Sequence, residues 1–331
     1  MTAQALLEIE GLCVGVGKAN ESLRILRDVS LDVDKGELVG VVGESGSGKS
    51  MTALSILGLL PPALDITDGA IMFDGSELTS VSSAEMRRIR GMRISMIFQD
   101  PMTTLDPVMR VGKQIEEAYL IHHPRHSRQV ARARAARVLG LVGVPDVARR
   151  MRQYPHEWSG GMRQRAVIAM ALVNEPELVI ADEPTTALDA TIQAQVLEVL
   201  RTAQRDLGVA IMLITHDLGV VAQYADRVVV MYAGQVVESA TTEELFADSR
   251  HPYTAALIES RPGRAVPGST LSAIPGQPPS LAELPPGCPF AARCQAPFKS
   301  ERCFTEETVL APSRDGRLSA CHFRDVSGVF A

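Results

Sequence analysis

Gly43-Glu44-Ser45-Gly46-Ser47-Gly48-Lys49-Ser50 fits the pattern G-x-x-x-x-G-K-[ST] over its full length. Each residue type there has a chemical reason. Glycines let backbone N–H groups turn inward around phosphate oxygens, and the loop opens into a helical stretch whose N-terminus favours anions. Lys49 can reach the β- and γ-phosphates of a nucleotide, and the Ser50 hydroxyl can bind Mg²⁺. A second constellation is Leu178-Val179-Ile180-Ala181-Asp182-Glu183, an apolar run that ends in two acids. Asp182 suits Mg²⁺, directly or through water, and Glu183 suits polarising an attacking water as general base. Such a strand end carries little information alone. Roughly 130 residues after a complete phosphate loop, it points to nucleotide hydrolysis.

Cysteine supplies the third constellation. Cys288, Cys294, Cys303 and Cys321 are spaced C-x5-C-x8-C-x17-C, and the fifth cysteine, Cys13, is far away near the first strand. An odd count crowded at one end is poor arithmetic for a secreted disulfide framework, and in a reducing compartment clustered thiols read as metal ligands. The tight C-x2–4-C pair of most structural zinc sites is missing. Iron–sulfur clusters also take four thiolates and tolerate wider spacings. Zinc or free buried thiols stay open as alternatives, with His322 as a competing ligand and Cys13 as a core residue. The four cysteines are remote in sequence from the phosphate loop, which predicts a purely structural role for them.

The elements that must position these residues alternate. Apolar β-branched stretches at 5–14 and 25–33 precede the buried run 37–42, which leads into the phosphate loop. The helix after it is expected to stop at Pro61-Pro62. Residues 93–98 read as a strand and 113 to about 152 as helix, with Ser127 as an N-cap and Val130, Ala133, Val138 and Leu141 facing inward. The run 162–173 is helical, 190–207 is a helix ended by Gly208, and 209–217 is a buried strand. Residues 227–239 form a hairpin turning at Ala233-Gly234. This order predicts an α/β layer with a mostly parallel sheet, without internal repeats. From 261 to 287 seven prolines and little periodicity indicate an extended linker. The cysteines follow in a segment too short for a large core of its own.

Composition narrows the function classes. The chain has 331 residues, of which 46% are hydrophobic and 22% charged, enough apolar material for a packed core. A net charge of −6 and 4% aromatics argue against a base-stacking or nucleic-acid surface. No apolar run approaches the ~18 residues of a membrane span, and no signal peptide is evident at the start. A cytosolic location is expected, with membrane association through a partner.

Trp158-Ser159-Gly160-Gly161-Met162-Arg163-Gln164 resembles the signature loop of ATP-binding-cassette (ABC) ATPases. Gln99 in IFQDPMTTLDP resembles the Q-loop glutamine, Ala187-Leu188-Asp189 the D-loop, and His216 in LITHD the switch histidine. In family order these marks cover residues 5–240. The resemblance implies a RecA-like core with a mostly parallel sheet, an antiparallel β subdomain and a helical subdomain at about 100–160. It further implies two subunits that sandwich two ATP molecules, each pairing one phosphate loop with the other's signature. Gln99 would then touch Mg²⁺ or water, and Ser159, Gly160 and Gly161 would form a second anion-binding helix end. His216 would sense the γ-phosphate, and Asp189 would belong to the subunit contact. The family's adenine-stacking aromatic has no counterpart, Val16 being the nearest candidate. Met51 replaces a second hydroxyl, and Trp158 stands where leucine is usual.

The chain has one cassette, no coiled-coil insertion and no fused membrane spans, which leaves a separate transporter ATPase. GESGSGKS, SGGMRQR, ADEPTTALD, HPYT at 251–254 and the tail CPFAARC resemble the ATP-binding subunits of oligopeptide, dipeptide and nickel importers. That resemblance implies a nucleotide-binding domain at 1–260 and a proline-rich, Cys-rich extension at 261–331 holding a [4Fe–4S] cluster, with Zn²⁺ as the alternative. It places the protein peripherally on the cytoplasmic face of the inner membrane. Implied partners are two integral-membrane permease subunits, a homologous ATP-binding subunit as heterodimer partner, and an extracytoplasmic substrate-binding protein, with no nucleic acid. A nickel importer is the alternative within the family, and a soluble ABC ATPase of nucleic-acid maintenance with a zinc module the alternative outside it.

Overall fold

The computed structural model describes residues 5–16, 23–99, 104–186, 189–261 and 274–326. Residues 262–273 of the expected linker, Ala187-Leu188 of the expected D-loop and residues 100–103 after Gln99 lie outside the described residues. Two compact units divide the chain. One comprises Met1–Val33, Val39–Thr79 and Thr215–Ala331, the other Asp34–Leu38 and Ser80–Ile214.

In the first unit an antiparallel sheet runs in the order Arg24–Val33, Leu7–Val16, Leu64–Phe73, Ser76–Glu77. Both expected N-terminal strands are present. The strand Leu64–Phe73 is absent from the sequence reading, because exposed Asp65, Thr67, Asp68 and Gly69 interrupt its apolar pattern. It forms by pairing with Leu7–Val16 along the register Leu7↔Phe73 to Val16↔Leu64. A second sheet starts from Leu38–Val42, all five residues buried, as expected for a strand covered on both faces. This strand lies parallel to Arg227–Tyr232, which makes the expected hairpin with Gln235–Thr241 through Ala233 and Gly234, both at positive φ.

The cysteine-bearing segment is part of this unit and continues its sheet. Leu318–Ser319 pairs antiparallel with Gln235–Thr241, and Ala311–Pro312 follows it. The sheet is therefore mixed, where the sequence predicts mostly parallel, because the hairpin and the late strands all add antiparallel. Cys13 is buried and its Sγ accepts a hydrogen bond from the Asp28 N–H at 3.3 Å, as a core residue.

In the second unit Ile94–Ile97, Leu178–Asp182 and Ala210–Thr215 are parallel neighbours, each within an expected run. The helical text expected from 113 to about 152, in two runs with the second capped by Ser127, is present as Val111–Leu120 and Arg128–Leu141, followed by a short third helix, Val147–Arg150. Ser127 caps the second, its Oγ accepting from the Val130 N–H at 3.3 Å. The buried face of that helix differs from the expected one. Ala131, Ala135, Val138 and Leu139 are buried, whereas Val130 is 46% exposed and Ala133 and Leu141 are not buried. Positions i, i+4, i+7 and i+8 form one stripe, and its two alanines allow close helix approach. No helix among the described residues is long and apolar enough to cross a membrane.

The Ser127 cap gives a direct check on this unit. Ser127→Ala should lower stability by about 1 kcal/mol, read from chemical denaturation, and leave nucleotide affinity unchanged.

Candidate functional site

The phosphate loop is built by its neighbours as much as by its own residues. Gly43 has φ +154, and a Cβ there would meet the Met231 carbonyl oxygen at 2.1 Å, so only glycine lets the strand turn into the loop. Gly48 has φ +105 and caps the helix Lys49–Ile56. That helix is shorter than expected, since Gly58, also at positive φ, ends it before the prolines. Lys49 is 6% exposed. Its Nζ donates to the carbonyls of Gly43 and Glu44 at 2.8 and 2.9 Å and lies 3.4 Å from Ser47 Oγ. The Ser47 carbonyl accepts from the Gly234 N–H at 3.0 Å, which ties the loop to the hairpin turn. Ser45, Gly46 and Ser50 are exposed and Met51 half-buried.

Glu44 makes contacts that the sequence reading does not anticipate. Its backbone N–H donates to the Tyr253 hydroxyl at 2.8 Å. Its carboxylate accepts from both terminal nitrogens of Arg293, at 2.6 and 3.0 Å. Arg293 lies between Cys288 and Cys294, so separation in sequence from the phosphate loop is not separation in space. Tyr253 belongs to His251-Pro252-Tyr253-Thr254, which starts the helix Pro252–Glu259. His216, at the end of the strand Ala210–Thr215, is exposed and belongs to the same unit as the loop. The next residue, Asp217, caps the helix Leu218–Tyr224. Val16 is 45% exposed at a strand end.

In the second unit Gln99 and Glu183 come together from 84 positions apart. The Gln99 Nε2 donates to Glu183 Oε2 at 3.1 Å, and Thr186 Oγ1 donates to the same oxygen at 2.8 Å. Glu183 has φ +46, unfavourable for a residue with a side chain, and its N–H is held by the Ile214 carbonyl at 2.9 Å. Asp182 ends its strand 7% exposed. This places an amide-oriented carboxylate directly after a buried one, the geometry a general base beside a metal ligand needs.

The signature residues form a helix start. Ser159 caps Gly160–Leu172, its Oγ 3.4 Å from the Met162 N–H. Gln164, four residues into this helix, is fully buried and donates to the Pro184 carbonyl at 2.6 Å. It ties the signature helix to the segment after Glu183, and a polar residue on an apolar helix face is the signal that would have found it. Trp158 is 2% exposed and packs, as expected. Asp189 caps Ala190–Leu207, accepting from the Ile192 N–H at 3.0 Å.

Cys288, Cys294, Cys303 and Cys321 line one small cavity together with Phe290 and Phe323, and all four thiols are free. The Cys288 N–H donates to the Cys303 carbonyl at 2.8 Å, which draws two of them together. Burial pushes the thiols of Cys288 and Cys321 up to about 11 and about 12. His322 Nε2 lies 3.0 Å from the Glu306 carbonyl, an alternative engagement to metal ligation. No group of three or more His, Cys, Asp or Glu among the described residues is arranged around a single ion.

Comparison with known proteins agrees with these motifs. Residues 26–186 match the ABC transporter family, and residues 237–303 match the oligopeptide/dipeptide transporter C-terminal region. The dipeptide transport ATP-binding protein DppD of Bacillus subtilis is 53% identical, over 94% of this chain and 93% of that protein. The oligopeptide transport ATP-binding protein OppD of the same organism is 51% identical, over 89% and 82%. The dimeric, post-hydrolysis structure of the ATP-binding cassette MJ0796 bound to ADP and Pi is similar with a TM-score of 0.63 and 26% identity, covering 71% of this chain and 98% of that one. The cassette fold is thus found, with a mixed sheet and an antiparallel subdomain, and the chain belongs to the ABC transporter family as an ABC-type ATPase of the peptide-transport ATP-binding proteins.

Proposed function

We propose that this chain is the ATP-hydrolysing subunit of an importer that takes up di- and oligopeptides across the cytoplasmic membrane. The observation that carries the hydrolytic part of the reading is the Gln99–Glu183 hydrogen bond, which gives a positioned base in a chain that also holds a complete phosphate loop; the peptide part rests on the match to the oligopeptide/dipeptide transporter C-terminal region and on the similar dipeptide and oligopeptide transport proteins. In this reading Lys49 and the phosphate loop Gly43 to Ser50 bind the triphosphate, with the Glu44 N–H taken up by the Tyr253 hydroxyl rather than by phosphate. Glu183 takes the proton of the attacking water, with Gln99 and Thr186 fixing its carboxylate. Ser159, Gly160 and Gly161 present a capped helix start to a second nucleotide, and His216 senses the γ-phosphate. Ser50 in the first unit offers a hydroxyl, and Asp182 and Gln99 in the second offer a carboxylate and an amide oxygen, each a hard donor of the kind that suits Mg²⁺. When bound, Mg²⁺ supplies charge neutralisation to the phosphates.

Residues 1–260 act in this proposal as the nucleotide-binding domain, its helical part at about 100–160 gripping the permease, and 261–331 as a Cys-rich extension. The protein sits peripherally on the cytoplasmic face of the membrane. It works with two permease subunits, a homologous ATPase subunit and an extracytoplasmic binding protein. The four thiols that share one buried cavity support a thiolate-held [4Fe–4S] cluster.

Purification in mild detergent should bring down the permease subunits and the second ATPase, and isolation of the chain alone contradicts the assignment. Within that complex, Glu183→Gln should keep ATP binding and lower hydrolysis by roughly 10²–10⁴-fold, while Lys49→Ala should lose ATP binding. Hydrolysis at the parental rate in Glu183→Gln refutes the assigned base. Protein purified without oxygen should be brown, with broad absorbance near ~400 nm from thiolate-bound iron. Elemental analysis giving zinc without iron or acid-labile sulfide overturns the cluster.

A further inference from the structure

The Arg293 guanidinium has every donor engaged, and both terminal nitrogens reach the phosphate-loop residue Glu44. Arg293 is 7% exposed. Its two terminal nitrogens hold the Glu44 carboxylate as a fork, one of them also reaching the Tyr232 hydroxyl at 3.2 Å and the other the Gly276 carbonyl at 3.5 Å. Its Nε donates to the Pro275 carbonyl at 2.8 Å. This is the bidentate geometry that only arginine provides. A second tether reaches the same residue from another direction, since the Tyr253 hydroxyl accepts from the Glu44 N–H. Tyr232, Tyr253 and Phe290 pack with ring centroids 4.5 to 5.4 Å apart and support both tethers.

The turn that carries Arg293 is the turn that carries two of the four thiols. The N–H groups of Arg293 and Cys294 both donate to the Phe290 carbonyl, and the Ala291 N–H donates to the Cys288 carbonyl. The position of Arg293 therefore follows that of the cysteine-bearing segment. Glu44 is a carboxylate within a loop built to take up a polyanion. Unpaired, it would repel the phosphates; paired with Arg293, it serves as a handle on the loop backbone.

We propose that Arg293 and Tyr253 are positioning residues for nucleotide binding, through which the C-terminal segment holds the phosphate loop by Glu44 and sets its affinity for nucleotide triphosphate. This rests on the nucleotide site proposed above and adds to it a functional reason for the His-Pro-Tyr motif and for the cysteine segment.

The test is equilibrium binding of a fluorescent ATP analogue with Mg²⁺ to the full-length chain, together with KM and kcat in the assembled complex. Arg293→Ala should weaken binding roughly tenfold and raise KM more than it lowers kcat. Arg293→Lys keeps the charge without the fork and should fall between. Adding Glu44→Gln to Arg293→Ala should recover part of the lost affinity, because the uncompensated carboxylate is gone, and KM should recover with it while the chemical-denaturation midpoint of the folded single and double variants accounts separately for any change in stability. Tyr253→Phe keeps the packing and removes only the acceptor, so a smaller loss is expected even if Arg293→Ala does not fold. Lys49→Ala is the control: loss of binding there establishes the nucleotide site whatever Arg293 does. Binding within twofold of the parent in both Arg293→Ala and Tyr253→Phe would overturn the proposal, as would the absence of any recovery in the double variant.

Discussion

A loop that binds phosphate through backbone N–H groups must hold those groups in place before the ligand arrives, because inward-facing amides repel one another. The surrounding fold meets that constraint here. The buried strand Leu38–Val42 delivers the chain to Gly43, where only a glycine fits beneath the Met231 carbonyl. Lys49 curls back onto the carbonyls of Gly43 and Glu44, which keeps its ammonium at the loop. The hairpin turn at Gly234 and the Tyr253 hydroxyl then fix the backbone at Ser47 and Glu44. The hairpin strand Gln235–Thr241 also extends the sheet to Leu318–Ser319, so the loop and the C-terminal segment share one framework.

In the second unit a comparable constraint acts on Glu183. A carboxylate that must act as a base needs a fixed direction, and here the backbone is held in a conformation that such a residue resists. Thr186 and Gln99 both donate to one of its oxygens, and the Ile214 carbonyl holds its N–H. Buried Gln164 anchors the signature helix to Pro184, immediately after this residue. A change in the position of Gln99 or Gln164 therefore reaches Glu183 or its neighbour directly.

What was legible in the sequence was local. The G-x-x-x-x-G-K-S string, the apolar runs 37–42 and 178–182, the Ala233-Gly234 turn and the Ser127 cap all carry their physics in adjacent residues. What was not legible depends on partners far along the chain. Leu64–Phe73 is too polar to read as a strand until Leu7–Val16 lies beside it. The inward face of Arg128–Leu141 rotates onto Ala131 and Ala135, because small residues decide how closely helices approach, and hydrophobicity alone points to Val130. Arg293 lies 249 positions from Glu44, and nothing in CPFAARC indicates that its arginine pairs with the phosphate loop. The four cysteines were legible as a group, since their lining of one cavity needs only a short segment folded on itself.

ATP hydrolysis by this subunit is what drives peptide uptake in the proposed importer. The most direct test is uptake of a radiolabelled dipeptide by cells that lack the chain, complemented with the parent or with Lys49→Ala. Uptake should be lost on deletion, restored by the parent and not restored by Lys49→Ala at equal protein level. Undiminished uptake after deletion, or full restoration by Lys49→Ala, would contradict it.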